Sequence, residues 1–148
     1  MEIEEYRKQF IDELRFNAEH EGTEPETQFI EKILNDLEEI GELNDPIPMS
    51  VEMRGSRNRI LAFDAYAYDE ADGALVLIAS DFTNQRDTAP TLTNTRIEEL
   101  YGRMLNFVEE SVQGNISKYC DDSDPALLIA NEFRKKIGKG MLSTEILR

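Results

Sequence analysis

The chain has 148 residues, which suits one domain and leaves little room for two. Hydrophobic residues make up 40% of it, enough for a buried core, and charged residues make up 32%. Asp and Glu outnumber Lys and Arg by 31 to 16, so the net charge of −15 would repel a nucleic-acid backbone over most of the surface. The single cysteine, Cys120, excludes an internal disulfide. Because no signal peptide or membrane-length apolar run is visible, we expect a cytoplasmic protein that does not bind membranes.

The first forty residues are predicted to form two amphipathic helices. Apolar residues recur at helical spacing over residues 3–19, and Gly22 follows as a stop. A second helix is predicted over residues 23–40, where Thr23 and Glu26 have the spacing of a capping box. Its predicted buried stripe consists of Phe29, Ile30, Ile33, Leu34, Leu37 and Ile40.

Three strands follow, over residues 47–53, 59–68 and 74–81. Turn signals separate them, including an Asp-Gly pair at residues 72–73, and short turns favour antiparallel pairing. Every residue from 74 to 79 is apolar, which is typical of a strand covered on both faces. This pattern predicts that the third strand is central in a β-meander.

The last part of the chain is predicted to be helical. Helix 95–113 has Thr95 and Glu98 as a candidate capping box, and another helix runs to about residue 137. Residues 141–148 could begin a further strand. The predicted fold is one mixed α/β (α+β) domain over residues 1–148, with a central antiparallel meander flanked by helices. Because the chain stops without a polar tail, we expect it to be the N-terminal part of a longer protein.

Two aspartates lie where a carboxylate is costly. Asp64 interrupts an apolar strand, and Asp81 ends the apolar run of the next strand. Because these strands are hairpin partners, the two carboxylates could lie close together and bind Mg²⁺ through their oxygens. The alternative is structural: Asp81 caps a strand end, and Asp64 bonds to a turn or an arginine.

Three arginines, Arg54, Arg57 and Arg59, form the densest basic stretch. They could contact phosphate from a hairpin tip. A solvated turn that balances nearby acids is the favoured alternative, because three arginines cannot offset the net charge.

Several short motifs occur along the chain: Gly22-Thr23, Phe29-Ile30 with Leu34, Gly41-Glu42-Leu43, residues 63–68, residues 75–82 with their Ser80-Asp81-Phe82 ending, Thr91-Leu92-Thr93, and Asn106-Phe107. In this order they resemble the N-terminal domain of the abortive infection phage resistance (AIPR) family, a group of bacterial defence proteins. The family proteins are much longer than this chain. The resemblance therefore implies that the remaining C-terminal part is a partner of this domain, with other proteins or a homo-oligomer also open.

The element order also resembles the restriction-endonuclease-like α-β-β-β-α-β core. That resemblance places Asp64 at the catalytic aspartate, and Glu26 or Glu31 at the helix glutamate. It places Ala79 and Asp81 where such nucleases have a glutamate and a lysine, so the cation that stabilises developing charge is missing. The favoured hypothesis is a non-catalytic or degenerate domain that acts as a scaffold or interaction module, with no cofactor. The alternative is a divergent Mg²⁺-dependent nuclease that uses Asp64, Asp81 and Glu31.

Overall fold

The computed structural model of the chain describes residues 2–69, 73–82 and 91–137. The predicted mixed α/β class, with an antiparallel meander flanked by helices, is confirmed. The helices are α1 (Ile3–Glu21), α2 (Pro25–Glu39), α3 (Asn94–Val112) and α4 (Pro125–Ile137), and the strands are β1 (Ile47–Arg54), β2 (Ile60–Asp69) and β3 (Ala74–Ile78). Two short 3₁₀ turns, Ser56–Asn58 and Ile116–Lys118, complete the described elements.

The three strands lie in the order β1-β2-β3, and both pairs are antiparallel. The prediction that the third strand is central is therefore wrong within the described residues, because β2 pairs on both sides and β3 on one. Two successive hairpins place the middle strand of the chain in the middle of the sheet.

The apolar run of β3 has a different explanation, which is that helices cover both of its faces. Leu75 and Leu77 pack against the cluster that joins the sheet to α3 and α4. Val76 and Ile78 pack against the cluster that contains Leu34 of α2. Double coverage needs apolar residues at every position, whether or not the strand is central.

An aromatic column joins the sheet to the C-terminal helices. Phe63 of β2 meets Phe107 of α3 edge-on, with 4.9 Å between ring centroids, and Phe107 meets Phe133 of α4 at 6.4 Å. Phe63 and Phe107 are fully buried. Such pairs contribute about 0.5–1.5 kcal/mol each beyond their burial. The column therefore fixes α3 and α4 on one face of the sheet.

A tight turn at Gly22 joins α1 to α2. Gly22 has a left-handed φ of 70°, which glycine adopts without steric cost. The predicted capping box is absent, because the residue that caps α2 is Glu24 and its side chain makes no capping bond. The hydroxyl of Thr23 instead accepts a hydrogen bond from the buried Gln28 side chain at 3.0 Å.

The buried stripe predicted for α2 is partly right. Leu34 is buried, and Ile30 and Leu37 pack against the same cluster, but Ile33 is only half-buried and Ile40 is 70% exposed. Ile40 follows the last helical residue and has a ψ of 0°, so its side chain leaves the helical phase.

Helix α3 is capped two residues earlier than predicted. The hydroxyl of Thr93, rather than that of Thr95, accepts a hydrogen bond from the N–H of Arg96 at 3.1 Å. The fully buried residues of α3 are Phe107, Glu110 and Ser111, whereas the other apolar residues of the helix are half-buried. These three residues form the buried line of α3, which lies between β2 and α4 because the helix packs on both.

None of the helices among the described residues is both long and apolar enough to cross a membrane. Some predicted features lie outside the described residues. They are residues 70–72 of the Asp-Gly turn, loop residues 83–90 and the possible strand 141–148.

Candidate functional site

Asp64 ties the end of the third strand to β2. Its Oδ2 accepts a hydrogen bond from the backbone N–H of Ser80 at 2.7 Å and another from the Ser80 hydroxyl at 3.2 Å. The side chain is half-buried, between two fully buried neighbours, Phe63 and Ala65. Hydrogen bonds to an ionised carboxylate are shorter and stronger than neutral ones. The two hydrogen bonds from Ser80 therefore compensate the partial burial of this carboxylate.

Asp81, the residue after Ser80, pairs with an arginine of α3. Its Oδ1 lies 3.0 Å from Nε of Arg96, and the Arg96 Nη1 lies 3.1 Å from a carboxylate oxygen of Glu99. Hydrogen bonds to Asp81 and then to Glu99 raise the pKa of Arg96, so the guanidinium remains charged. Both members of the Asp81–Arg96 pair are about one-third exposed, and such pairs stabilise by at most about 1 kcal/mol.

The helix carboxylates that the nuclease-like resemblance suggests lie on α2. Glu26 is exposed in the first turn, and Glu31 is half-buried farther along the helix. Within residues 2–69, 73–82 and 91–137, no three side chains of the metal-binding types come together in a way that could hold an ion. The two aspartates and the α2 glutamates therefore form no such group in the described part of the chain.

A small groove adjoins Asp81. It has a volume of about 130 Å³ and is lined by Arg7, Asp81 and apolar side chains that include Phe29 and Phe82. The rings of Phe29 and Phe82 stack with 4.9 Å between centroids. The groove is smaller than the roughly 300–1,000 Å³ of most small-molecule sites.

The three arginines of the hairpin tip have separate positions. Arg54 is exposed and donates to the C=O of Asn58 at 3.3 Å. Arg57 is exposed at the turn, where it has a left-handed φ of 58°. Arg59 points inward, and its guanidinium bonds to Asn106, Glu109 and Glu110 of α3 at 3.0–3.3 Å.

The inward contact of Arg59 belongs to a buried network centred on Glu110, which is only 1% exposed. The Ser56 hydroxyl donates to one carboxylate oxygen at 2.6 Å, and Arg59 Nη2 donates to the same oxygen at 3.0 Å. Asn115 Nδ2 and the Tyr119 hydroxyl donate to the other oxygen at 3.0 and 3.1 Å. The network therefore connects the β1–β2 turn, α3 and the segment after α3.

These donors explain the electrostatics of Glu110. The Ser56 hydrogen bond is the largest influence, and with those from Asn115, Tyr119 and Arg59 it lowers the pKa of Glu110 to about 2, against the opposing effect of burial. Glu110 is therefore ionised at neutral pH and holds four donors in place.

Residues 29–143 match the family described as the abortive infection phage resistance protein N-terminal domain. The match covers more than half of the chain. This chain belongs to the abortive infection phage resistance family. No curated protein and no solved structure matches it.

The AIPR match begins within α2, so α1 lies outside it. Of the motifs that carry the resemblance, only Gly22-Thr23 falls outside the matched residues. Several of the others hold the AIPR domain together: Asn106 donates to the C=O of Ile60 at 3.1 Å, Phe107 is in the aromatic column, and Thr93 caps α3.

Sequence reasoning missed Glu110, the most deeply buried charge among the described residues of this AIPR domain. The sequence carried only a weak signal for the burial of Glu110, because glutamate within an amphipathic helix is normally on the solvated face. Its partners Ser56 and Arg59 lie more than fifty residues earlier. The contact therefore arises from the way α3 lies beside the β1–β2 turn.

Proposed function

We propose that this AIPR domain is a non-catalytic scaffold or interaction module of a cytoplasmic phage-defence protein, with the rest of the same chain, other proteins or further copies as its partners. One observation carries the proposal, which is that Asp64 and Asp81 are both engaged in local structural contacts. Asp64 accepts two hydrogen bonds from Ser80, and Asp81 pairs with Arg96.

These contacts do not suit a Mg²⁺ centre. Mg²⁺ requires several oxygen ligands in nearly octahedral geometry, and it must compete for each oxygen that already accepts a hydrogen bond. Here one oxygen of Asp64 accepts both bonds from Ser80, and a charged guanidinium stands beside Asp81. The residues present do not fit the ion, and we propose no step that involves it.

One contact favours the alternative nuclease hypothesis. Arg96 supplies a cation beside Asp81, and Asp81 is the residue that stands where the resemblance places a lysine.

A direct test is incubation of the purified chain with plasmid DNA or RNA in Mg²⁺ or Mn²⁺, with Asp64→Asn as the control. We expect no cleavage; cleavage that Asp64→Asn abolishes would overturn the proposal. Cleavage that the substitution leaves unchanged identifies a contaminating nuclease.

A matched pair of substitutions separates the two hypotheses in the full-length protein. Asn can still accept both hydrogen bonds from Ser80, whereas Ala accepts neither. The scaffold hypothesis therefore predicts that Asp64→Asn retains phage protection and that Asp64→Ala lowers stability by about 1–3 kcal/mol. The nuclease hypothesis predicts that both variants lose protection. Protection in cells, measured beside thermal unfolding of each variant, distinguishes these outcomes.

A further inference from the structure

A groove runs along the outer edge of β1, on the side away from β2. Residues 50–53 form one wall, and the opposite wall is formed by Tyr119, Cys120, Asp121 and Asp124. Its volume of about 320 Å³ falls within the roughly 300–1,000 Å³ range of ligand sites. Since four consecutive strand residues line it, the groove follows the backbone of β1.

Within the described residues, part of the β1 backbone has no partner strand at this edge. Among the described strands, β1 pairs only with β2. The N–H of Gly55 donates to the C=O of Arg59 at 2.9 Å, so these two residues form a hydrogen-bonded pair. The next pair, Arg54 and Ile60, therefore has no ladder bonds. Because such pairs alternate in antiparallel sheets, Glu52 and Ala62 form the next one. The N–H and C=O of Glu52 are therefore directed toward the groove.

The other end of the β1 edge is protected. Pro48 has no N–H to offer a partner strand, and the register with β2 shifts between Pro48 and Val51. Proline and bulges are common devices that prevent edge-to-edge pairing. Neither device protects residues 51–54, and no described strand pairs with them on the side away from β2.

The walls of the groove are acidic. Glu52, Asp121 and Asp124 contribute carboxylates, and no Lys or Arg is among the described residues that line it. None of the ion pairs between described residues includes these three carboxylates. Asp124 has one local contact, since its Oδ1 accepts the N–H of Ala126 at 2.9 Å. The negative charge in the groove is therefore available to a cationic partner.

We propose that this groove binds an extended, basic segment of a partner protein. The segment adds to β1 as a further strand, bonds to the backbone of Glu52, and places a Lys or Arg side chain among Glu52, Asp121 and Asp124. Backbone pairing supplies affinity in this mode of recognition, and side-chain pockets supply specificity. The inference rests on the proposed interaction role and adds the chemistry of the partner.

The test uses a fluorescent ten-residue peptide in which Lys alternates with Thr and Val, and a matched peptide with Glu in place of each Lys. Binding to the 148-residue chain is measured by fluorescence anisotropy at low salt. We expect the Lys peptide to bind and the Glu peptide not to bind. Reversing two groove charges, by Glu52→Lys with Asp121→Lys, should weaken binding by about tenfold or more, because like charges then face each other.

A backbone variant tests the strand geometry separately. Glu52→Pro removes an N–H that faces the groove and leaves the bonds to β2 in place, so we expect lost binding with an unchanged melting temperature. Glu52→Gln, which keeps the N–H, should retain part of the affinity. The control for general electrostatic attraction is Glu13→Lys with Glu19→Lys, two exposed positions on α1.

Three outcomes of the binding measurements would overturn the inference: no binding of the Lys peptide, full binding by Glu52→Pro with the fold intact, or equal weakening by the α1 pair. If Glu52→Pro lowers the melting temperature, amide chemical shifts of the unsubstituted chain provide the replacement test. Peptide-induced shifts confined to residues 50–53 and 119–124 support the groove, and shifts elsewhere overturn it. Each of these failures leaves the Asp64 comparison unaffected. Cleavage that depends on Asp64 would overturn the proposed function without changing the outcome of the peptide-binding measurements, so the two failures are distinguishable.

Discussion

Glu110 is buried among donors from three segments of the chain: Ser56 and Arg59 from the β1–β2 turn region, Asn115 after α3, and Tyr119 farther along. A buried carboxylate is tolerated when its oxygens are fully hydrogen-bonded, and each of these oxygens has two donors. The side chain thus acts as an electrostatic connection between the sheet and the segment that leads into α4.

Replacing Glu110 by Gln should destabilise the domain by about 2–4 kcal/mol at neutral pH. The amide of Gln has one acceptor oxygen. Its NH₂ group takes the place of the other carboxylate oxygen and faces two donors whose hydrogen bonds that oxygen accepted. Urea denaturation of the two proteins measures the difference. The matched control is Glu109→Gln, an exposed neighbour that also pairs with Arg59 and should cost less than about 0.5 kcal/mol. Equal effects from the two substitutions would contradict the role of the buried network.

The lowered pKa of Glu110 predicts a pH dependence of stability. Because the folded pKa of about 2 lies below the ordinary value of 4.5, ionised Glu110 stabilises the fold above about pH 4.5, and this stabilisation is lost as pH falls toward 2. The shift corresponds to at most about 3 kcal/mol. The stability difference between the unsubstituted chain and Glu110→Gln should therefore narrow between pH 5 and pH 3, measured by denaturation at each pH. A difference that is constant across this range would contradict the pKa assignment.

At the scale of elements, the start of α3 depends on one hydroxyl. Thr93 caps the helix through the N–H of Arg96, whereas Thr95 is exposed within the first turn. Thr93→Ala should cost about 1 kcal/mol, and Thr95→Ala should be nearly neutral because alanine favours helix interiors. Thermal unfolding of the two variants decides between the two threonines. A larger loss of stability in Thr95→Ala than in Thr93→Ala would instead identify Thr95 as the capping residue, as the sequence pattern predicts.

The β1–β2 turn contains two successive non-glycine residues in the left-handed region, Arg57 and Asn58. Asparagine tolerates this conformation better than arginine does. Arg57→Gly should therefore raise the free energy of unfolding by about 0.5–1 kcal/mol, and Asn58→Gly should change it less. Chemical denaturation measures both effects. A clear loss of stability in Arg57→Gly would mean that the exposed guanidinium makes a stabilising contact.

At the scale of the whole molecule, the fold joins two apolar clusters through one sheet, under a strongly negative surface. The larger cluster contains the aromatic column, and the smaller one contains Leu34 and Leu43 with Ala65 and Ala67 of β2. The net charge of −15 works against compaction through self-repulsion.

We therefore expect added NaCl to increase the free energy of unfolding, because salt screens this repulsion over about 10 Å at 0.1 M. Urea denaturation at low and moderate salt measures the effect. The variant Glu13→Lys with Glu19→Lys reduces the net negative charge, so its stability should rise less with salt. A decrease of stability with salt in the unsubstituted chain would mean that the surface ion pairs outweigh the repulsion.

The sequence predicted the elements, the meander and the family, because these depend on local patterns. Helical and two-residue periodicities are set by residues close together in the chain, and glycines such as Gly22 mark helix ends through their own backbone freedom. The same patterns indicated Asp64 as a polar residue in an apolar strand, and the structure gives it a partner, Ser80, across the β2–β3 hairpin.

Tertiary structure alone decided the strand order, the buried line of α3 and the partners of each charge. An apolar run indicates that both faces of a strand are covered, but it does not distinguish a central strand from an edge strand between two helices. Within the described residues, β3 is such an edge strand. The Glu110 network joins α3 to a turn more than fifty residues earlier, and the Asp81–Arg96 pair joins the end of the third strand to α3. Such contacts depend on how the helices pack against the sheet, and no local periodicity records that geometry.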